Sequence, residues 1–263
     1  IINMCTAMTL QSKQLENFFG RTMDFSYDID PELYIVPKYY VRNNALNMHK
    51  SYNTYSFIGI GQEIDGMLVF FDGVNEKGFA AATLYFAGYA KYTPKSNHID
   101  KEPISSLDFL DYILGRCGSV KELREILLEI CIVGFEDPVT KTVAPLHWIA
   151  TDKNGECIVI EQTEKGLNIF QNQIGVMTNS PDFQWHMTNL RNYMDVSPTQ
   201  NDDAYWGKIN LQPFGQGGGT VQLPGGYTSP ERFVRTAYEK THIQTPNNSL
   251  EAINACFHIM ESV

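Results

Sequence analysis

Short apolar runs rich in β-branched and aromatic residues recur before residue 90 and again after residue 145, and they predict β-strands. We expect Asp72-Gly73 to end one strand as a turn, and 152–155 to join two later strands as a hairpin. The runs around Cys5 and Arg21 are strand-like as well. The other predicted strands cover 33–36, 55–60, 67–71, 79–86, 146–151, 157–161, 166–170 and 175–178.

Apolar positions change to a helical spacing in the middle and at the end of the chain. A helix is predicted over 107–117, with Ser105 or Ser106 as its cap, and another begins at Ser119, where Glu122 completes a capping box. Three more begin near 181, 229 and 249, and a glycine-rich loop covers 215–226. The order of strands, a helix pair, strands and helices favours an α+β fold with helical layers outside two sheets, as one domain over 1–263.

Composition narrows the class of protein. The chain has 263 residues, 43% of them hydrophobic, and a formal charge of −10, which does not favour binding to nucleic acid or to an anionic membrane surface. No apolar run reaches the roughly 18–20 residues of a membrane span, and no basic and apolar leader opens the chain. The 5 cysteines form no Cys-x-x-Cys pair, so a reducing, cytoplasmic location is expected, and the 6 histidines show no metal-ligand spacing.

Cys5 is the first candidate for chemistry, because a thiol near an N-terminus can be an N-terminal nucleophile. A free α-amine has a pKa of about 7.7–8.0 and can serve as the base of its own residue. If 11–14 is a hairpin tip, Arg21 or Asp24 can face Cys5 across a strand pair. The guanidinium would favour the thiolate and the carboxylate would orient the amine. The alternatives are that Cys5 is an ordinary core thiol, that Arg21 is a surface residue and that Asp24 belongs to a turn.

Asn179 and Arg232 are further candidates at predicted helix starts. Asn179 follows a strand and precedes Pro181, where its side-chain amide could donate to an oxyanion; alternatively, Asn179 or Ser180 is an ordinary N-cap. Arg232 lies in a first helical turn, where the helix dipole disfavours a cation. That cost suggests a specific role, such as binding a carboxylate or the active thiol, although a solvated arginine remains the alternative.

Several motifs together resemble the choloylglycine hydrolase family of linear amide C–N hydrolases. They include Met-Cys-Thr, Arg-Thr-Met-Asp-Phe, Pro-Leu-His-Trp and Val-Met-Thr-Asn-Ser-Pro, and they follow one another in order along nearly the whole chain. The resemblance implies a four-layer αββα N-terminal nucleophile (Ntn) hydrolase fold. The matching segments are 4–6, 21–25, 72–78, 84–86, 145–148, 175–181, 185–190, 214–217 and 229–235.

The resemblance also implies a role for each candidate. Cys5 matches the nucleophile, Arg21 and Asp24 match the residues that poise the thiol and the amine, and Asn179 matches the oxyanion amide. Arg232 matches an arginine beside the cysteine, and the backbone N–H of Tyr85 matches the second oxyanion donor. No metal or cofactor is implied.

Tyr85 directs the expected substrate class, because this position resembles the penicillin V acylase branch, whereas bile salt hydrolases usually carry asparagine there. The expectation is therefore a penicillin V acylase-like amidase that forms a thioester acyl-enzyme. The alternatives are a conjugated bile salt hydrolase and, from another class, a catalytically silent, unprocessed binding protein of the same fold. Hydrolysis of acyl-homoserine lactones is a further possibility within the family.

The two ends of the chain and its assembly complete the expectations. Residues 1–4 precede Cys5 and are expected to be a propeptide or added residues, since an amide nitrogen cannot be the base. By resemblance, further C-terminal strands are expected beyond Val263, and the protein is expected to be a homotetramer with contacts near 189–226. The expected partner is a small amide substrate.

Overall fold

The computed structural model describes residues 4–25, 29–43, 45–46, 50–64, 66–94, 100–137 and 141–263. The strands are β1 (Met4–Gln11), β2 (Asn17–Asp24), β3 (Glu32–Val36), β4 (Val41–Asn43), β5 (Lys50–Tyr52), β6 (Phe57–Ile64), β7 (Met67–Asn75), β8 (Ala80–Tyr85), β9 (Glu102–Ser105), β10 (Ile130–Val133), β11 (Leu146–Thr151), β12 (Cys157–Thr163), β13 (Gly166–Gln171), β14 (Val176–Met177), β15 (Ala204–Trp206) and β16 (Ile209–Leu211). The α-helices are α1 (Phe109–Arg116), α2 (Val120–Glu129), α3 (Phe183–Asn189), α4 (Ser229–His242) and α5 (Ser249–Glu261).

Two antiparallel sheets form the centre of the molecule. The larger has seven strands in the order β13-β12-β11-β8-β7-β6-β3, and the smaller has the order β14-β1-β2. In the smaller sheet Cys5 lies opposite Met23, and Ala7 lies opposite Arg21. Because side chains alternate between the faces of a strand, Cys5 and Arg21 are on the same face of this sheet.

Helices cover both outer faces and produce four layers. α1 packs on β7 and β8 of the larger sheet, while α4 and α5 pack on the smaller one. One core joins α1 and α2 to the larger sheet, and a second joins the two sheets to α4 and α5. The expected αββα architecture is confirmed. None of the helices in the described ranges has the length and apolar character needed to span a lipid bilayer.

Several local predictions are corrected by hydrogen bonding. Asp72-Gly73 is not a turn: both residues pair with β6 and β8 inside β7. Asp108, not Ser105 or Ser106, is the N-cap of α1. Ser119 does cap α2, accepting from the Glu122 N–H as predicted. The parallel pair β9–β10 and the short pairs β4–β5 and β15–β16 were not predicted, because few alternating residues mark them.

The β15–β16 hairpin and the loop after it present apolar side chains to solvent. Tyr205, Trp206, Ile209 and Phe214 are all exposed. They lie within 189–226, the segment expected to make subunit contacts. The homotetramer itself stays a prediction.

His186 is a buried titratable group where α3 packs on α4. Its ring stacks on Phe233 with centroids 4.6 Å apart, and its Nε2 lies 2.9 Å from the Asn179 carbonyl oxygen. Burial lowers the pKa of His186 to about 4, although the hydrogen bond to Asn179 opposes that shift. The imidazole is therefore neutral in the folded protein at neutral pH.

This burial predicts a pH-dependent stability. An unfolded histidine has a pKa of about 6.5, so between pH 6.5 and 4 the unfolded chain binds a proton that folded His186 excludes. The free energy of unfolding should fall as the pH falls through this window, by roughly 3 kcal/mol from this residue. Urea unfolding of wild type and His186→Phe at several pH values measures the difference between them. His258→Phe, which changes an exposed imidazole, is the control; equal pH dependence in wild type and His186→Phe would contradict the prediction.

Candidate functional site

Cys5 lies near the start of β1 with its side chain directed between the two sheets. The residue is only 2% exposed, and its backbone N–H donates to Asn179 Oδ1 at 2.9 Å. In this chain that nitrogen is still an amide, because Met4 precedes it. All five cysteines are free thiols.

Arg21 reaches from β2 toward the sulfur of Cys5. Its Nη2 lies 3.5 Å from Cys5 Sγ and donates to the Thr83 carbonyl oxygen at 3.1 Å. Its Nη1 donates to Asp72 Oδ2 and to the Phe71 carbonyl oxygen, each at 3.2 Å. The guanidinium is thus fixed between the sheets, where a cation favours a thiolate electrostatically.

Asn179 follows β14, and its carboxamide connects three parts of the fold. Its Oδ1 accepts from the Cys5 N–H and from Arg232 Nη2 at 2.8 Å, and its Nδ2 donates to the Tyr85 carbonyl oxygen at 2.8 Å. Because the Cys5 N–H and Arg232 Nη2 can only donate, the atom that faces them must be the oxygen of the Asn179 carboxamide and not its nitrogen. The amide carries two N–H groups, and the Tyr85 carbonyl uses one. The other can donate to an oxyanion.

The alternative role of Asn179 or Ser180 as a helix cap is not observed. Asp182 is the N-cap of α3, and its carboxylate accepts from the Trp185 N–H at 2.9 Å. Ser180 Oγ instead donates to the Ala87 carbonyl oxygen at 2.7 Å. Asn179 is therefore free of a capping role and faces Cys5.

The backbone N–H of Tyr85 is directed toward the edge of β8 that lies away from β11, on the side of Arg21. Phe86 N donates to the Pro145 carbonyl oxygen, so Tyr85 and Leu146 form a pair without mutual hydrogen bonds. The polar backbone groups of Tyr85 therefore point away from β11, to the side where the Thr83 carbonyl accepts from Arg21. A second oxyanion donor is geometrically available there.

Arg232 is buried at 2% exposure, so it is not the solvated arginine considered as an alternative. Its Nη1 donates to the Cys5 carbonyl oxygen and to Thr6 Oγ1, both at 2.6 Å, and its Nε donates to the Tyr227 carbonyl oxygen at 3.0 Å. Burial lowers the pKa of Arg232 to about 10. The guanidinium binds oxygen atoms around Cys5, which explains a cation at the start of α4.

Asp24 is the one candidate that the structure does not bring to Cys5. It is exposed and pairs with Met4, on the face of β2 opposite to Arg21. Within the described residues, the backbone N–H of Cys5 donates its hydrogen bond to Asn179 Oδ1 instead. A role for Asp24 at the amine stays a prediction.

A cavity of about 160 Å³ opens beside Cys5, Thr83 and Tyr85. Most of its lining is apolar, including Phe71 and Leu146. Part of the wall comes from residues next to 26–28 and 138–140, which are outside the described ranges, so the volume refers to the described part alone. A larger groove of about 760 Å³ lies along β2; Arg21 and Asp72 border it, but Cys5 does not.

Four buried or partly buried residues near the site were not identified as functional from the sequence: Asp72, His147, Glu161 and His186. Asp72 was expected in a turn, and the contacts of the His147 ring with Glu161 and with the Thr178 carbonyl follow from the fold. The available signal was an ionisable side chain inside an apolar strand at His147 and Glu161. In the described ranges, no group of three or more His, Cys, Asp or Glu side chains could hold a metal ion.

Comparison with known proteins shows extensive similarity to bile salt hydrolases. The chain is 36% identical to the bile salt hydrolase/transferase of Clostridium perfringens over 263 residues, which are 99% of this chain and 79% of that protein. A crystal structure of a variant of conjugated bile acid hydrolase from the same organism superposes with a TM-score of 0.89 at 33% identity. That likeness covers 98% of this chain and 78% of the other.

Similarity to a penicillin V acylase is lower. The enzyme of Pectobacterium atrosepticum is 29% identical over 89% of this chain and 58% of its own length. The family model of linear amide C–N hydrolases, choloylglycine hydrolase family, matches residues 5–263. The chain is therefore a member of the choloylglycine hydrolase family of linear amide C–N hydrolases.

Proposed function

We propose that this amide hydrolase cleaves the amide bond of conjugated bile salts, with the Cys5 thiol as its nucleophile. The support is the cluster in which Arg21 approaches the sulfur while Asn179 and Arg232 hold the backbone of Cys5. The expectation of a penicillin V acylase-like activity rested on Tyr85 alone. Bile salt hydrolases are more similar over the whole chain, so the former alternative becomes the main proposal.

The first half of the reaction forms a thioester. The Cys5 thiolate attacks the amide carbonyl carbon, and the carbonyl oxygen becomes an oxyanion. The free N–H of Asn179 Nδ2 and the Tyr85 backbone N–H donate to it, and such preorganised donors stabilise developing charge most effectively where water is excluded. The Arg21 guanidinium lies 3.5 Å from the sulfur on which the attack depends.

The second half depends on a free amine at Cys5. The α-ammonium gives a proton to the leaving nitrogen as the C–N bond breaks, and the resulting amine then takes a proton from the water that hydrolyses the thioester. We propose that residues 1–4 are removed first. The family match begins at Cys5, and Met4 occupies the strand position opposite Asp24, so its removal would let the Asp24 carboxylate approach the new amine.

Cys5→Ala should abolish hydrolysis, since no other thiol is placed to attack. Burial raises the pKa of Cys157 to about 12 and of Cys256 to about 11, and it also raises the pKa of Cys117 and Cys131. Iodoacetamide should therefore modify native protein mainly at Cys5, in parallel with the loss of activity.

Cys131→Ala is the matched control and should keep wild-type turnover. Intact mass and N-terminal sequencing of active protein should give Cys5 as the first residue. Full activity with residues 1–4 still attached would refute the amine as the base. Ligand-induced thermal stabilisation without any product would favour the silent binding protein.

The substrate class is tested with glycine- and taurine-conjugated bile acids beside phenoxymethyl penicillin. We expect kcat/KM to be higher for the bile salts. Tyr85→Asn should shift the ratio further toward bile salts without abolishing turnover, because the backbone N–H at this position is unchanged. Tyr85→Phe, which keeps the ring, is its control. A higher kcat/KM for the penicillin in wild type would restore the acylase assignment.

Asn179→Asp should lower kcat about 100- to 1,000-fold, or about 2.7–4 kcal/mol. The aspartate keeps an oxygen for the Cys5 N–H and for Arg232 but loses the N–H donors, including the one to the Tyr85 carbonyl, so turnover is compared per folded molecule. Steady-state kinetics per folded molecule, with circular dichroism, provides the measurement. Asn192→Asp, an exposed asparagine, is the control; turnover of Asn179→Asp near that of wild type would remove Asn179 from the oxyanion site.

A further inference from the structure

Two histidines hold the backbone on both sides of Asn179. His147 Nε2 lies 2.9 Å from the Thr178 carbonyl oxygen, and His186 Nε2 lies 2.9 Å from the Asn179 carbonyl oxygen. Both imidazoles are buried, at 1% and 2% exposure. Because a carbonyl oxygen only accepts, Nε2 carries a proton in both rings.

Each ring is itself held in place. His147 stacks on Phe86 with centroids 4.2 Å apart, and its Nδ1 lies 3.3 Å from Glu161 Oε1. The same carboxylate oxygen accepts from the Phe183 N–H at 3.0 Å, at the start of α3. Glu161 therefore contacts both the His147 ring and the start of the helix that carries His186.

His186 is fixed by packing rather than by a second polar partner. Its ring stacks on Phe233, the residue after Arg232, and within the described ranges its Nδ1 has no hydrogen-bond partner. The groups around it include Asp182, whose charge would favour protonation, and Arg232 and His147, which oppose it. A neutral ring with its proton on Nε2 fits this environment.

We propose that His147, Glu161 and His186 are positioning residues for amide hydrolysis. The two carbonyls belong to the peptide planes on either side of the Asn179 Cα, and fixing both planes fixes the direction of its Cα–Cβ bond. The carboxamide is then kept against the Cys5 N–H, Arg232 and the Tyr85 carbonyl. The hydrogen bonds of the three residues end on the backbone of 178–179 and on α3, not on Cys5. This inference rests on the proposed function, because it assigns Asn179 as an oxyanion donor.

The kinetic test compares two replacements of His186. His186→Phe keeps the stack on Phe233 but removes the donor, and kcat should fall about 10- to 100-fold with little change in KM, as expected when a catalytic group is misplaced. His186→Gln has a side-chain N–H that can reach the same carbonyl and should recover most of the loss. His147→Phe and His147→Gln form a second pair with the same expected order, for use if His186→Phe does not fold.

The control is Phe109→Leu, which loosens the core around Trp148 on the far side of the larger sheet. Its kcat per folded molecule should equal that of wild type although its stability is lower. A purely structural role for His186 would give His186→Phe the same behaviour. Wild-type kcat in His186→Phe, or a glutamine variant no better than the phenylalanine variant, would overturn the proposal.

A spectroscopic test does not depend on activity. Nitrogen-15 NMR of the imidazoles should show His186 neutral at pH 6 with its proton on Nε2, and the signal should be lost in His186→Phe. A neutral ring with its proton on Nδ1 would overturn the inference even in an active enzyme, because Nε2 could then not donate to the Asn179 carbonyl. If wild type hydrolyses neither bile salts nor penicillin, the proposed function fails, and the NMR result then decides the histidine geometry alone.

Discussion

The oxygen of the Asn179 side chain is the point on which the site depends. It accepts the backbone N–H of Cys5 and a guanidinium N–H of Arg232, so β1, α4 and the segment after β14 meet at one atom. All three groups are buried, and a buried donor without its acceptor costs about 1–3 kcal/mol or more if it is charged. The cluster is therefore held together as a unit, because loss of one member leaves the others unpaired.

Two arginines contact β1 in different ways. The Cys5 side chain faces the larger sheet, Arg21 and the cavity, whereas the Cys5 carbonyl and Thr6 Oγ1 accept from Arg232. Arg21 thus lies beside the sulfur, and Arg232 holds β1 through hydrogen bonds to its oxygen atoms. Arg232 donates to oxygen atoms of several segments, and none of these acceptors in the described ranges is a carboxylate.

The sequence predicted the long elements and singled out most of the residues that the structure brings together around Cys5, but not the contacts that determine the geometry. Strands such as β8 and β11 were predictable from dense apolar runs, and α2 from its Ser119 cap. Asp72-Gly73 was mistaken for a turn, since local composition does not show that a strand continues on both of its edges. Likewise, the pairing of Glu161 with His147 depends on the register of β11 and β12, which periodicity alone does not give.

Tyr85 shows why one side chain is a weak guide to substrate here. Its chemical contribution comes from the backbone: the carbonyl accepts from Asn179, and the N–H points to the side of Arg21. Those groups are the same for any residue at this position, so a different side chain would change the shape of the cavity and leave these backbone contacts in place. Similarity spread over nearly the whole chain reflects many positions at once, and the proposed substrate class therefore rests on that similarity more than on a single tyrosine.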